Sequence, residues 1–228
     1  MHAQFASPFS WRYGSDEMRA LWGEIHKRLL WRRIWVALAR TQAQAGLIRP
    51  EQVADLEAHS VDVDIDRSLE IEAVIRHDLM AEVAAFAEQC PVGGGIIHLG
   101  ATSADIEDNA DALRLKASLD LLLERLRGLL AALADQIDHY ANLPVMAFTH
   151  IQPAEPTTLG YRFALYGQDL LEDYQTLVQV ARDLRGKGLK GAVGTAASYS
   201  ELLDGTGWTA ADLEASVMGA LGIGAYPI

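Results

Sequence analysis

The chain has 228 residues, half of them apolar, and a formal net charge of -12 from 19 basic and 31 acidic side chains. This charge argues against a general nucleic-acid binder, which needs a broad cationic face, but it allows a small anionic substrate held by a few convergent cations. The sequence shows neither an apolar run of about 18 residues nor a basic and apolar leader, which predicts a soluble, cytoplasmic chain without a membrane span. The single cysteine, Cys90, fits a reducing compartment and precedes Pro91 at the end of an apolar helix, which makes it a poor nucleophile.

The first predicted helices follow a short irregular segment. Residues 5–14 show no periodic apolar pattern, whereas Ser15 has the side chain of a helix N-cap and is followed by acidic residues in the first turn. A broad apolar face then predicts a helix as far as residue 46, with Gly23 as a point where the helix weakens or kinks. A proline in its first turn marks the next helix, over residues 50–59.

An acidic linker at residues 62–66 leads to a helical pattern over residues 67–89. The alternating aspartates superficially resemble a calcium loop, but the glycine at the turn and the terminal ligand are missing. The adjacent Arg76, His77 and Asp78 project in three directions around the helix, so they cannot all face solvent. Two interpretations stay open at this point: a solvated helix surface, or a cleft lined by at least one of the three side chains.

A glycine-rich connection follows, and it lacks the known nucleotide-binding patterns. Residues 91–95 contain three glycines, but no Gly-Lys-Ser/Thr follows them and no strand-helix-strand unit surrounds them. Thr102 and Ser103 then stand where N-cap residues belong, and their hydroxyls, with the free N–H groups of a helix start, suit a carboxylate or phosphate. A plain helix cap is the alternative interpretation, and His98 nearby favours a binding site.

The second half of the sequence predicts two long antiparallel helices. Apolar residues recur at alternating steps of three and four, as in a helical bundle, along residues 105–142 and again along residues 158–185. At about 1.5 Å per residue the first helix spans roughly 55 Å, so other long helices, in this chain or in copies of it, must cover its apolar surface. A shorter helix, capped by Thr209, is predicted to run to about residue 221.

The absence of a sustained strand pattern predicts an all-α fold. We expect an N-terminal helical domain at residues 1–104, followed at residues 105–228 by the first long antiparallel helices of a bundle.

Two further segments combine loop chemistry with residues that bind anions or carry protons. Residues 149–160 hold His150 between two long helices, and the prolines of this segment restrict its backbone. A histidine titrates near neutrality, so His150 suits proton delivery, although a plain connecting loop has the same composition. Residues 186–195 are rich in glycine and contain Lys190, which suits either an anion-wrapping loop or a flexible connector.

The motifs together resemble those of the adenylosuccinate lyase family, within the fumarase/aspartase superfamily. They occur in the family's order over nearly the whole chain: Arg12-Tyr13, Arg76-His77-Asp78, the run from His98 to Asp105, the run from Thr149 to Ala154, and the run from Lys190 to Thr195. The first two point to the purine-specific family, whereas the His98 and His150 segments are shared widely in the superfamily.

The resemblance implies a β-elimination that releases fumarate from a succinylated purine nucleotide, without a metal or organic cofactor. His150 would be the general acid that protonates the departing amine, and His77 would assist it. Arg12 and Tyr13 would hold the phosphate. The remaining substrate contacts that the resemblance and the loop chemistry suggest are Thr102 and Ser103, on the succinyl carboxylates, and Arg76, Asp78, His98, Gln152 and Lys190 around them. The family assembles each active site from three subunits of a homotetramer.

One departure from the family pattern affects the expected activity. The family carries its general base, a serine, in a mobile loop of the form Gly-Ser-Ser-x-Met-Pro-x-Lys, and this segment does not occur in the 228 residues. The chain therefore resembles about the first half of the family's proteins, and we expect it to be inactive alone. The alternatives are another lyase of the superfamily, of the argininosuccinate lyase or carboxymuconate cycloisomerase type, and a non-catalytic helical scaffold.

Overall fold

A computed structural model of the chain describes residues 7–228, without the side chain of Ser10. Residues 5 and 6 of the segment predicted to be irregular lie outside the described part. The helices, in chain order, are α1 (Pro8–Trp11), α2 (Asp16–Leu21), α3 (Glu24–Gln44), α4 (Pro50–His59), α5 (Ile65–Ile75), α6 (Asp78–Gln89), α7 (Ser103–His139), α8 (Leu159–Asp183), α9 (Ala197–Leu202) and α10 (Ala210–Leu221). The prediction of a helical fold is confirmed. No helix within residues 7–228 is long and apolar enough to cross a membrane.

The first helices differ from the prediction in two places. A short helix, α1, forms within the segment predicted to be irregular, and the hydroxyl of Ser7 caps it by accepting a hydrogen bond from the Phe9 N–H at 3.3 Å. Ser15 caps α2 as predicted, by accepting from the Met18 N–H at 3.2 Å. The single helix expected up to residue 46 is broken next to Gly23, which has an extended backbone and precedes α3. The broken helix agrees with the low helix propensity of glycine.

The core is built around α3, which has two buried tryptophans. Arg32, on the same helix, is also fully buried, and its Nε donates a hydrogen bond to Oε1 of Glu82 on α6 at 2.8 Å. Its Nη1 donates to the backbone carbonyls of His59 and Asp62, which connects α3 to the segment between α4 and α5. The largest fully buried side chains include Trp31, Trp35, Ile34, Leu38, Leu56, Leu79, Phe86, Ile106, Leu189, Tyr199 and Leu213.

Contacts between Cα atoms divide the chain into two compact units. Among the described residues, the first consists of residues 7–115 and 184–228, and the second consists of residues 116–183. The long helix α7 begins in the first unit and ends in the second. The domain boundary predicted between residues 104 and 105 stays a prediction.

The second unit contains a β-hairpin that sequence analysis missed. Strand β1 (Pro144–Thr149) pairs antiparallel with β2 (Gln152–Thr158). The strand signal is weak because β2 contains two prolines, which a sheet tolerates only where their missing N–H is not needed. After the hairpin, Gly160 at the start of α8 donates a hydrogen bond to the Tyr140 carbonyl at 2.9 Å, just beyond the end of α7. A Cβ at Gly160 would lie 2.6 Å from the Ile137 carbonyl oxygen, so this close approach requires glycine.

Candidate functional site

His77 lies at a helix start because the predicted continuous helix is interrupted beside it. Helix α5 ends at Ile75, and Arg76 adopts a left-handed backbone with φ of 60°. His77 then caps α6, and its Nδ1 accepts a hydrogen bond from the Met80 N–H at 3.4 Å. An accepting Nδ1 leaves the ring proton on Nε2 in the neutral imidazole. This nitrogen lies 3.4 Å from the hydroxyl oxygen of Ser103.

Ser103 is the first residue of α7, and Thr102 precedes it as predicted. The N–H of Thr102 donates a hydrogen bond to the Asp105 carboxylate at 3.2 Å. Both Thr102 and Ser103 are partly exposed. Two hydroxyls therefore stand at the positive end of a long helix, next to an imidazole that carries a proton on the facing nitrogen, and this arrangement suits a carboxylate.

Asp78 and Lys27 extend this cluster. Asp78 follows His77, and its Oδ1 accepts a hydrogen bond from the Leu79 N–H at 2.8 Å. Its Oδ2 lies 3.9 Å from Nζ of Lys27 on α3, which also lies 4.7 Å from the centre of the Trp31 ring. Sequence analysis did not identify Lys27. The available signal was its position one helical turn before a tryptophan of the buried face.

Glu107 is a second residue near this cluster that sequence analysis missed. It lies one turn along α7 from Ser103, so both side chains are on the same face of the helix. Its pKa is raised, mainly by burial and further by the charge of Asp78, while Lys27 and His77 act in the opposite direction. An acidic side chain of raised pKa beside a histidine is a frequent feature of functional sites.

His98 is held in the neutral state by its surroundings. Its Nδ1 accepts a hydrogen bond from Nε1 of Trp35 at 3.1 Å, and the two rings meet edge to face. The pKa of His98 is lowered, mainly by burial and further by His77, while the charge of Asp105 acts in the opposite direction. The backbone approaches another helix closely at Gly100, where a Cβ would lie 2.5 Å from a methyl group of Leu202.

Arg12 and Tyr13 lie between the helices α1 and α2, where Tyr13 lines a cleft and Arg12 is not among the lining residues. Arg12 caps the end of α1, and the exposed Tyr13 lines a cavity of about 520 Å³. Nη1 of Arg19 donates hydrogen bonds to the Tyr13 and Gly14 carbonyls, which fixes the turn between the helices. Aromatic and cationic side chains predominate among the residues that line this cavity: Phe9, Tyr13, Gly14, Met18, Arg19 and Trp22.

The glycine-rich loop does wrap an anion, but that anion belongs to the chain itself. The N–H groups of Lys190 and Gly191 donate hydrogen bonds to Oδ1 of Asp105 at 3.0 and 3.2 Å. Nζ of Lys190 lies 2.6 and 2.7 Å from the two carboxylate oxygens of Glu214 on α10. Lys190 is therefore already neutralised, and its predicted contact with a substrate requires that it leave or share this partner.

In the second unit, His150 lies at the tip of the β-hairpin. His150 and Ile151 form the two-residue turn, with φ of 49° and 65°, the left-handed pair that such hairpins favour. Their side chains are exposed, as is Gln152 at the first position of β2. His150 thus lies in a tight turn between two paired strands rather than in the irregular loop that the sequence suggested.

The chain is thus a helical protein whose candidate site, at the start of α7, has the chemistry to suit a carboxylate, and comparison with known proteins supplies the family. Residues 14–203 match the family described as Lyase, so the chain belongs to that family.

Named relatives and a solved structure agree with this assignment. The chain is 41% identical over 204 residues to an adenylosuccinate lyase of Schistosoma mansoni, which covers 89% of this chain and 42% of the relative. It is 36% identical over 229 residues to the adenylosuccinate lyase of Saccharomyces cerevisiae, and the alignment covers 98% of this chain and 48% of that relative. The crystal structure of 3-carboxy-cis,cis-muconate lactonizing enzyme from Pseudomonas putida superposes with a TM-score of 0.86 at 25% identity, covering 96% of this chain and 50% of that one. The chain spans about half the length of these relatives.

Proposed function

We propose that the chain supplies the helix-start part of the active site of an adenylosuccinate lyase. The complete protein would release fumarate from adenylosuccinate, giving AMP, and from succinyl-aminoimidazole-carboxamide ribonucleotide, as a cytoplasmic enzyme of purine biosynthesis. The observation that carries this proposal is the contact of His77 with Ser103 at the start of α7. Identities of 36 and 41% to proteins named adenylosuccinate lyase support it.

The proposed roles follow from the chemistry of the groups. The hydroxyls of Thr102 and Ser103 and the free N–H groups of α7 would bind a succinyl carboxylate, whose negative charge grows as the carbon-bound proton is removed. His77 would donate a hydrogen bond or a proton from Nε2 to the same group. Arg12 would pair with the nucleotide phosphate through its guanidinium, with Tyr13 beside it.

His150 would protonate the departing purine amine. Its place at the tip of the hairpin leaves its side chain open to a partner molecule. Arg76, Asp78, His98 and Gln152 would surround the substrate. Lys190 would contribute to substrate binding through the backbone of its loop, because its ammonium already pairs with Glu214.

We also propose that the complete protein is a homotetramer with shared active sites. Leu115, Leu122 and Leu129 follow one another at seven-residue steps along α7 and are 44, 45 and 48% exposed. Leucines at this spacing form one continuous stripe on a helix, and such a stripe is stabilised when another long helix covers it.

A second candidate is a carboxymuconate-type enzyme of the same fold. The TM-score of 0.86 to the Pseudomonas putida enzyme favours it, whereas the lower identity of 25% argues against it. Such an enzyme has no nucleotide phosphate to bind, so Arg12 distinguishes the two candidates.

The discriminating experiment compares the melting temperature of the chain with AMP, with fumarate and with carboxymuconate. A ligand that binds only the folded state raises the melting temperature. We expect AMP and fumarate to raise it, the Arg12→Ala variant to lose the AMP effect alone, and the control Arg40→Ala to keep both. Stabilisation by carboxymuconate alone would favour the second candidate, and stabilisation by none of the three would favour a non-catalytic scaffold.

A further inference from the structure

The buried carboxylate of Asp105 joins two segments that are far apart in the sequence. It is fully buried, and its Oδ2 accepts a hydrogen bond from the Thr102 N–H at 3.2 Å, at the start of α7. Asp105 thus closes the first turn of α7 in the manner of a capping-box carboxylate, which reaches back to the N-cap N–H. From the other side, its oxygens accept hydrogen bonds from the N–H groups of Lys190 and Gly191.

Two side chains complete the surroundings of Asp105. Nζ of Lys187 lies 2.7 Å from Oδ1, and the hydroxyl of Tyr199 donates a hydrogen bond to Oδ2 at 3.0 Å. Burial and the negative charge of Asp105 raise the pKa of Tyr199, so this hydroxyl remains a donor. A buried carboxylate with charge-assisted donors on both oxygens is a strong local restraint.

The glycine-rich loop has other attachments as well, at Gly186, Gly188, Leu189 and Lys190. The side chain of Asn109 accepts from the Gly188 N–H at 3.0 Å and donates to the Gly188 carbonyl at 2.9 Å. Glu214 accepts from the Leu189 N–H at 2.7 Å. Asp105 differs from both because it also holds the N–H of Thr102, next to the hydroxyls of the candidate site.

We propose that Asp105 is a positioning residue, which fixes residues 186–191 against the start of α7 and thereby sets the geometry of Thr102 and Ser103. The proposal rests on the proposed function, in which these two hydroxyls bind a substrate carboxylate. Loss of the Asp105 charge leaves the Lys187 ammonium without its countercharge and weakens the acceptor of the Thr102, Lys190 and Gly191 N–H groups. Residues 190–191 and the first turn of α7 then loosen.

The first test measures amide hydrogen exchange in the 228-residue chain. The Asp105→Asn variant keeps the shape of the side chain and removes its charge, and Asp108→Asn, exposed on the same helix, is the matched control. We expect exchange at the Lys190 and Gly191 amides to become at least tenfold faster in Asp105→Asn and to stay unchanged in the control. Unchanged exchange in Asp105→Asn overturns the proposal.

The second test asks whether the restraint reaches the candidate site. Fumarate is titrated into the same proteins, and its affinity is read from the amide signal of Ser103. We expect Asp105→Asn to weaken fumarate binding at least fivefold. Faster loop exchange with unchanged fumarate affinity overturns the positioning role, because a purely structural attachment would produce that result.

A second variant covers the case in which Asp105→Asn does not fold. Lys187→Met removes one partner of Asp105 and leaves its backbone donors, so we expect at least threefold faster exchange of the loop and at least twofold weaker fumarate binding. Unchanged loop exchange or unchanged fumarate affinity in Lys187→Met would also overturn the proposal. A wild-type chain that binds no fumarate, but whose loop exchange still depends on Asp105, would contradict the proposed function and leave the attachment of the loop intact.

Discussion

Nε2 of His77 lies 3.4 Å from the hydroxyl oxygen of Ser103, although 26 positions separate the two residues in the sequence. The contact forms because the chain breaks its helix at Arg76 and restarts it at Asp78, which turns the His77 ring towards the start of α7. A proton-bearing nitrogen and a hydroxyl thus meet where the helix dipole attracts negative charge.

Replacement of Ser103 by alanine tests this anion site. The variant loses a hydroxyl donor to a bound carboxylate and the partner of His77, so we expect fumarate to bind about tenfold more weakly, which is the effect of one charge-assisted hydrogen bond. Calorimetric titration measures the affinity. The control Ser200→Ala removes an exposed hydroxyl from α9 and is expected to bind fumarate like the wild type. Equal affinities in all three proteins would mean that the Ser103 hydroxyl contributes nothing to binding.

The pKa of His98 tests whether its partly buried surroundings favour the neutral ring. Its pKa is lowered, so its stabilising contribution is complete above the unfolded value of about 6.5 and is lost as pH falls through the lower folded pKa. The Trp35→Phe variant removes the donor to Nδ1, and we expect the pKa of His98 to rise because the neutral ring loses a hydrogen bond. Proton NMR of the imidazole measures both values, with Trp208→Phe as the control. A wild-type pKa at or above 6.5 would refute the assignment.

Substitution of the buried Glu82 tests how much its ion pairs between α3 and α6 stabilise the fold. It lies 2.8 Å from Arg32 and 3.2 Å from Arg28, both nearly inaccessible to solvent. Glu82→Gln leaves the buried Arg32 without a countercharge, whereas Arg28 keeps its ion pair with Glu24. We therefore expect the free energy of unfolding to fall by about 3–5 kcal/mol. Glu88→Gln is the matched control on the same helix, because its partner Arg67 is exposed and screened by water. Similar urea midpoints for the two variants would contradict the structural importance of the buried cluster.

Alanine substitutions at two glycines with the same φ distinguish backbone strain from steric crowding as causes of lost stability. Gly188 and Gly194 both have φ of 83°, but a Cβ at Gly188 would lie 2.2 Å from a carboxylate oxygen of Glu214, whereas Gly194 has open space. We expect Gly194→Ala to cost about 1–2 kcal/mol from the left-handed backbone alone. Gly188→Ala adds the displacement of Glu214 from Lys190, so its melting temperature is expected to fall further. An equal fall in melting temperature for both variants would show that the displacement of Glu214 does not destabilise the protein.

Much of the helical fold follows from local sequence signals. Ser15 and Thr209 cap their helices as predicted, because their hydroxyls satisfy N–H groups that a helix start leaves free. The break between Ile75 and Asp78 was not predicted, since Arg76 is an uncommon residue for a left-handed backbone. The hairpin was missed because the prolines of its second strand argue against a sheet.

The candidate site was predictable in its motifs and not in its contacts. Thr102 and Ser103 were recognised because Ser and Thr residues before an apolar helix are typical of a helix N-terminus, a signal that depends only on the local sequence. Lys27 was missed because its position one turn before Trp31 does not show that it approaches Asp78, which depends on how α3 lies against the start of α6. For the same reason the anion of the glycine-rich loop, Asp105, became evident only in three dimensions.

The most direct test of the proposed function is an absorbance assay of adenylosuccinate cleavage by the chain joined to the remaining half of the family's length. We expect cleavage by this protein and none by the 228 residues alone. His77→Gln in the longer protein is expected to reduce the rate at least about 100-fold, as loss of a proton-transferring group does, while His59→Gln retains it. A longer protein that leaves adenylosuccinate intact, or a His77→Gln variant with full activity, would contradict the account.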